Sequence, residues 1–296
     1  MIKHKTVLIL GAGASKPYSL PLGQELRDDV IKGADKIGLL STLSRVPISQ
    51  DEFASFATDL SESGFPSVDA FLEHRQKWIP IGKAAIALCL LRSEAKSREK
   101  LFPPHQPKDH WYEALWARLR APSWQGFKQN PWHVITFNYD RSLEHYLVRV
   151  LCNNYCLKPH TVCSQLPILH VHGSLGDYDA FPYGGRIGAV EHEIAANSIR
   201  VVHESDVGKS EFTRAQTLVE DADRVLFLGF GFHEENMKKL APNKFNGLVE
   251  GLLVMGTHKR IKARQWDRIC RKYRFSLRAY NNGAGSIAEF VTDWME

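Results

Sequence analysis

The chain has 296 residues, 44% of them hydrophobic and 24% charged, which fits an ordinary globular protein able to bury a full core. Its net charge of +5 is spread thinly over Lys96, Arg98, Lys100, Lys238, Lys239 and the run 259–264. Such runs read as a solvated face rather than a nucleic-acid surface, and a mildly basic balance also suits an anionic ligand such as a dinucleotide. No apolar stretch approaches the roughly eighteen residues that span a bilayer. Met1-Ile2-Lys3-His4-Lys5 leads straight into a strand and not into a signal-peptide core. The five cysteines make no even framework, so a reducing cytoplasm is the expected compartment.

In chain order, Val7-Leu8-Ile9-Leu10 is an apolar run of the kind buried in parallel sheets, and it opens directly into Gly11-Ala12-Gly13-Ala14-Ser15. Glycines in that place let backbone amides approach a pyrophosphate, although a plain Gly-rich turn accounts for them equally well. A full dinucleotide fingerprint wants a third glycine where Lys16 stands, and no ribose-binding acid follows a second strand. Residues 23–31 read as a helix. From about 35 to 130 the pattern is helical and punctuated by prolines, among them Pro66, Pro80 and Pro122. Within it Val68, Phe71 and Leu72, then Ile81, Ala85 and Leu88, recur at helical spacing, with Ser67 as a cap and Asp69 in the first turn.

Strand signals return at 134–137, 168–171, 199–203, 225–228, 252–255 and 275–280, with helical stretches at 141–152, 211–221, 233–240 and 260–271 between several of them. The alternation predicts an α/β fold: a Rossmann-like, doubly wound, mostly parallel sheet with helices on both faces. It reads as a single domain, 1–296, with a helical insertion at about 35–130 after the first βα unit.

Several strand ends carry chemistry. The run 134–137 ends in Asn138-Tyr139-Asp140, where a neutral amide can donate and accept and a carboxylate can take ribose hydroxyls or fix the turn. In Leu169-His170-Val171-His172-Gly173, His172 sits at the strand exit beside a glycine, placed for general-base work or for a hydrogen bond in a turn, while His170 reads as core or support. Val225-Leu226-Phe227-Leu228 runs into Gly229-Phe230-Gly231, and 252–255 runs into Gly256-Thr257. Cys152, Cys156, His160 and Cys163 fall close together but lack the tight C-x-x-C spacing of structural zinc sites, so they read as incidental thiols more readily than as a metal site. No H-E-x-x-H, P-loop or G-x-S-x-G is present, and no clustered carboxylates suggest a metal-dependent nuclease.

The set GAGAS at 11–15, TFNYD at 136–140, HVHGS at 170–174 and LFLGFGF at 226–232 resembles, in content and order, the sirtuin superfamily, and most closely the sirtuin-like NAD-hydrolysing domains of bacterial antiphage defence. The resemblance spans most of the Rossmann portion but not the helical stretch. It implies that Gly11, Gly13 and Ser15 hold the NAD phosphates, that Gly229 and Gly231 line the adenosine side, that Ala12 and Thr257 also belong to the NAD-binding set, and that Asn138, His172 and Asp140 are catalytic at the nicotinamide ribose. Phe137 and Tyr139 stand where deacetylases carry other residues, and only Cys270 follows Cys163, so the four-cysteine zinc module of deacetylases is missing.

The resemblance therefore implies an NAD glycohydrolase that takes NAD as substrate, expects no metal and releases nicotinamide and ADP-ribose, as an abortive-infection effector. Alternatives are an NAD-dependent deacylase or ADP-ribosyltransferase, and a non-catalytic subunit that senses NAD or ADP-ribose. Relatives are held in check by assembly or by partners such as a HerA-type ATPase or a short Argonaute, so a homo-oligomer or such a partner is expected here, with no membrane and no direct nucleic-acid binding.

Overall fold

The computed structural model describes residues 1–33, 48–201, 206–240, 252–259, 261–273 and 285–295. Among them, five strands form an all-parallel sheet: β1 (Thr6–Leu10), β2 (Trp132–Thr136), β3 (Ile168–His170), β4 (Arg224–Leu228) and β5 (Leu253–Gly256), in the spatial order β3-β2-β1-β4-β5. The apolar runs expected at 7–10, 134–137, 168–171, 225–228 and 252–255 all fall on these strands, with ends displaced by a residue or two. The described part of the run at 199–203, residues 199–201, does not join the sheet. Ile199 makes an isolated antiparallel bridge to Gly173, and residues 202–203 lie outside the described residues, as does the expected strand 275–280.

Every residue of β1 is buried, although alternate side chains point to opposite faces of a strand. Cover on both faces is the condition under which a central parallel strand can be apolar throughout. β1 pairs in the same register with both neighbours: Thr6 lies opposite Trp132 and Arg224, and Leu10 opposite Thr136 and Leu228. Three carboxyl ends therefore finish level. The chain moves out from β1 to β2 and β3 on one side, then crosses to β4 and β5 on the other. That reversal makes the β1–β4 crevice the topological switch point, where open α/β sheets bind ligands.

The turns leaving β1 and β4 interlock at this crevice. The Gly11 N–H donates to the Leu228 carbonyl at 3.1 Å and the Gly13 N–H to the Gly229 carbonyl at 2.9 Å. The Gly229 N–H in turn donates to Thr257 Oγ1 at 2.9 Å, which ties in the end of β5. A Cβ on Gly11 or on Gly13 would lie 2.7 Å from the Gly229 carbonyl oxygen, so both glycines are explained by the close approach of the two turns.

The helical stretch expected at 35–130 divides by packing. Helices Gly23–Ile31, Gln50–Glu62, Val68–His74 and Ile79–Arg98 share a core with Ala189–Ser198, built on Leu26, Phe56, Phe71, Leu72, Ile86 and Ala195. Each large apolar side chain sealed there contributes roughly 1.5–3 kcal/mol of transfer free energy. Helices Trp111–Leu119 and Trp124–Lys128 lie instead on the sheet core, where the Trp111 indole donates to the Ala14 carbonyl at 2.7 Å and Tyr112 stacks on Tyr18. Residues 34–47 lie outside the described residues. Tyr139, just after β2, belongs to the helical core, so the strand-end turn touches both layers. No helix among the described residues is long and apolar enough to cross a membrane.

Gly229 has φ +57°, and a Cβ there would meet the Ala14 nitrogen at 2.1 Å. Gly229→Ala should therefore cost about 3 kcal/mol or more, a drop of about 10 °C in Tm by thermal denaturation. A wild-type Tm would show that the two turns do not interlock in solution.

Candidate active site

Between the carboxyl ends of the strands and the helical layer lies a cavity of about 990 Å³, within the size range of small-molecule and cofactor sites. The sheet supplies Gly11, Ala12, Gly13, Asn138, His172, Gly229, Gly231 and Thr257 to its wall. The helical layer supplies Leu22, Ser67, Asp69, Ala70 and Glu73 opposite them. Eight of the ten residues singled out from the sequence are thus brought together, while Ser15 and Asp140 lie behind the wall.

Asn138 is held by its own donors. Its Nδ2 gives one hydrogen bond to the Gly11 carbonyl at 3.0 Å and another to Ser15 Oγ at 3.1 Å. A carbonyl can only accept, so the partner on Gly11 fixes which end of the amide is nitrogen. Both N–H groups are spent within the protein. Oδ1 has no protein partner among the described residues and remains available as an acceptor at the cavity.

Behind Asn138 runs a buried polar chain. Ser15 Oγ donates to Asp140 Oδ2 at 2.8 Å. The other carboxylate oxygen accepts from the Ser142 backbone N–H at 3.1 Å and from the Ser142 hydroxyl, which Tyr112 meets at 2.6 Å. Burial raises the Asp140 carboxyl above its usual range, against the pull of the Ser142 and Ser15 hydrogen bonds. Both oxygens of Asp140 are occupied within the turn, and Ser15 links it to Asn138.

His170 points to the same turn. Its Nδ1 lies 2.8 Å from the Asn138 carbonyl oxygen, and its Nε2 meets the Glu144 carboxylate. Burial alone would lower its pKa, but the Glu144 charge and both hydrogen bonds outweigh burial and raise it. Set between the Asn138 carbonyl and the Glu144 carboxylate, the His170 ring braces the Asn138 backbone from behind, the supporting place its position on the strand suggested.

His172 has a different environment. Its ring packs against Phe137 and Phe212, with centroids 5.5 Å away in each case. Among the described residues no side chain hydrogen-bonds its imidazole. Desolvation, with a smaller contribution from Lys239, lowers its pKa to about 4, so it is neutral at physiological pH.

The glycine turn offers less to a phosphate than its sequence implies. The Gly11, Gly13 and Ala14 amides already donate to Leu228, Gly229 and Gly11 carbonyls. Lys16 lines the cavity beside this turn, its ammonium 2.6 Å from Glu25. Ordinary helix positions also hid two further groups. Asp69, at the start of Val68–His74, accepts from the Tyr139 hydroxyl, and Glu94 pairs with the buried Arg141 at 2.7 Å. Among the described residues no group of three or more His, Cys, Asp or Glu side chains is placed to hold a metal ion, and Cys156 is exposed.

Removing the Asp140 carboxylate strands the hydroxyls and the amide that it receives. Asp140→Ala should cost about 3 kcal/mol in chemical denaturation, and a loss under about 1 kcal/mol would contradict the buried chain. The low pKa values of His172 and His145, both about 4 against 6.5 for a free imidazole, mean that the unfolded chain binds more protons between those limits. Their stabilising effect is present above pH 6.5 and is lost as pH falls toward 4, and His172→Gln should flatten that dependence when unfolding is measured across the window. Neither a scan against protein-family models nor a search of the curated proteins finds a match to this chain.

Proposed function

We propose that the chain is a sirtuin-like NAD glycohydrolase that converts NAD and water to nicotinamide, ADP-ribose and a proton. The observation that carries this reading is the pairing, across one switch-point cavity, of an amide whose donors are locked and whose acceptor is free with a neutral, desolvated imidazole. The order of the four strand-end motifs supports it.

The C1′–N bond of NAD joins a ribose to a cationic pyridinium, so nicotinamide leaves as a neutral molecule and needs no acid. Charge passes to the ribose in an oxocarbenium-like transition state, as in other glycosidic cleavages. Water then adds to C1′ and sheds a proton. A water adding to such a cation is strongly acidic, so a base as weak as His172 suffices, provided it is unprotonated beforehand. Asn138 Oδ1 accepts from a ribose hydroxyl or from the attacking water and sets its direction. Restraint through assembly or a partner belongs to the same proposal and rests on the resemblance.

Incubation with NAD, with nicotinamide release followed by chromatography, tests the reading. Asn138→Ala and His172→Ala should each lose about 10²-fold or more in kcat while remaining folded by circular dichroism. Tight NAD binding by wild type without product would favour the sensing role instead. Release that needs an acylated peptide would favour deacylation. Wild-type rates in both variants would overturn the site.

A further inference from the structure

We propose that Asp69, carried by the helical layer and not by the sheet, is the carboxylate that faces the ribose of bound NAD and opposes the positive charge that develops at C1′; this rests on the NAD-cleaving reading above. The carboxylate that the strand-end motif contains, Asp140, is closed off: both its oxygens are engaged by Ser15 and Ser142, and it stands behind the cavity wall. Asp69 lines the cavity together with Asn138 and Tyr139. The Tyr139 hydroxyl donates to Asp69 Oδ1, so the carboxylate is held by the residue next to Asn138, and among the described residues no other side chain hydrogen-bonds it.

The helix that presents Asp69 is anchored on both sides of it. Ser67 Oγ accepts from the Ala70 N–H at 3.2 Å, and Val68, Phe71 and Leu72 are sealed in the helical core. The carboxylate therefore stands on a fixed support, which electrostatic stabilisation of a transition state requires. Burial raises the Asp69 carboxyl above its usual range, with Tyr139 pulling the other way. A carboxyl whose neutral form burial favours is drawn toward its charged form when a cation arrives beside it. NAD brings a pyridinium, and cleavage moves that charge onto the ribose.

The bland alternative is that Asp69 only anchors Tyr139, and two substitutions separate the readings. Asp69→Asn keeps the size and an oxygen for the Tyr139 hydroxyl but removes the charge. Tyr139→Phe removes the hydrogen bond and keeps the charge. In steady-state assays of the full chain with NAD, Asp69→Asn should lower kcat about 10²-fold with a smaller change in KM, while Tyr139→Phe should lose less than about tenfold. Thermal denaturation of both should stay near wild type. Wild-type kcat in Asp69→Asn, with Asp69→Ala and Tyr139→Phe equally impaired, would make Asp69 an anchor and overturn the proposal. An active wild type and an inactive Asn138→Ala beside that result leave the NAD-cleaving reading standing. A wild type that neither binds nor consumes NAD removes both.

Discussion

The close approach of two glycine turns is the constraint on which the rest of the structure depends. β1 and β4 are neighbours only because the chain returns across the sheet, and their exits can nest only where no Cβ intervenes. The Gly229 carbonyl takes the Gly13 N–H, and its own N–H reaches Thr257, so three strand ends are fixed at one level. Gly11 thereby presents its carbonyl to Asn138. The amide at the cavity is thus oriented by the backbone of the sheet itself, which makes it far stiffer than a side chain on a free loop.

A second set of contacts joins the site to the layers on either side. Toward the sheet core, Asn138 passes through Ser15 and Asp140 to Ser142 and Tyr112. Toward the helical layer, Tyr139 reaches Asp69, and Arg141 reaches Glu94. The four consecutive residues 138–141 therefore tie one turn to both layers, and a buried ion pair such as Arg141–Glu94 is costly to break from one side because it strands the other charge. Proper geometry at Asn138 and correct docking of the helical layer are one condition. Under the proposed function, that coupling would be the route by which assembly or a partner acting on the helical layer alters the cavity.

Much of this was legible in the residues. Strands buried on both faces read as unbroken apolar runs, so β1 and β4 stood out, and glycines or polar residues just beyond them marked the carboxyl edge. The run at 199–203 misled because a β-type composition records burial and not pairing; Ile199 is buried by the helical layer and only bridges to Gly173. Side-chain direction was not legible either. Ser15 and Asp140 have the right chemistry for a ligand but satisfy each other, since a hydroxyl and a carboxylate that are far apart in sequence carry no sign that they meet. Asp69 was hidden by a sufficient ordinary explanation, an acid in the first turn of a capped helix. Only the fold shows that this turn overlooks the cavity.

The most direct measurement is a structure of the chain with a non-hydrolysable carbocyclic NAD analogue, in which the C1′–N bond survives. The account predicts the diphosphate beside the turns at Gly11–Gly13 and Gly229–Gly231, and the nicotinamide riboside between Asn138 Oδ1 and His172. An analogue bound elsewhere, or with its adenine end at Asn138, would contradict it.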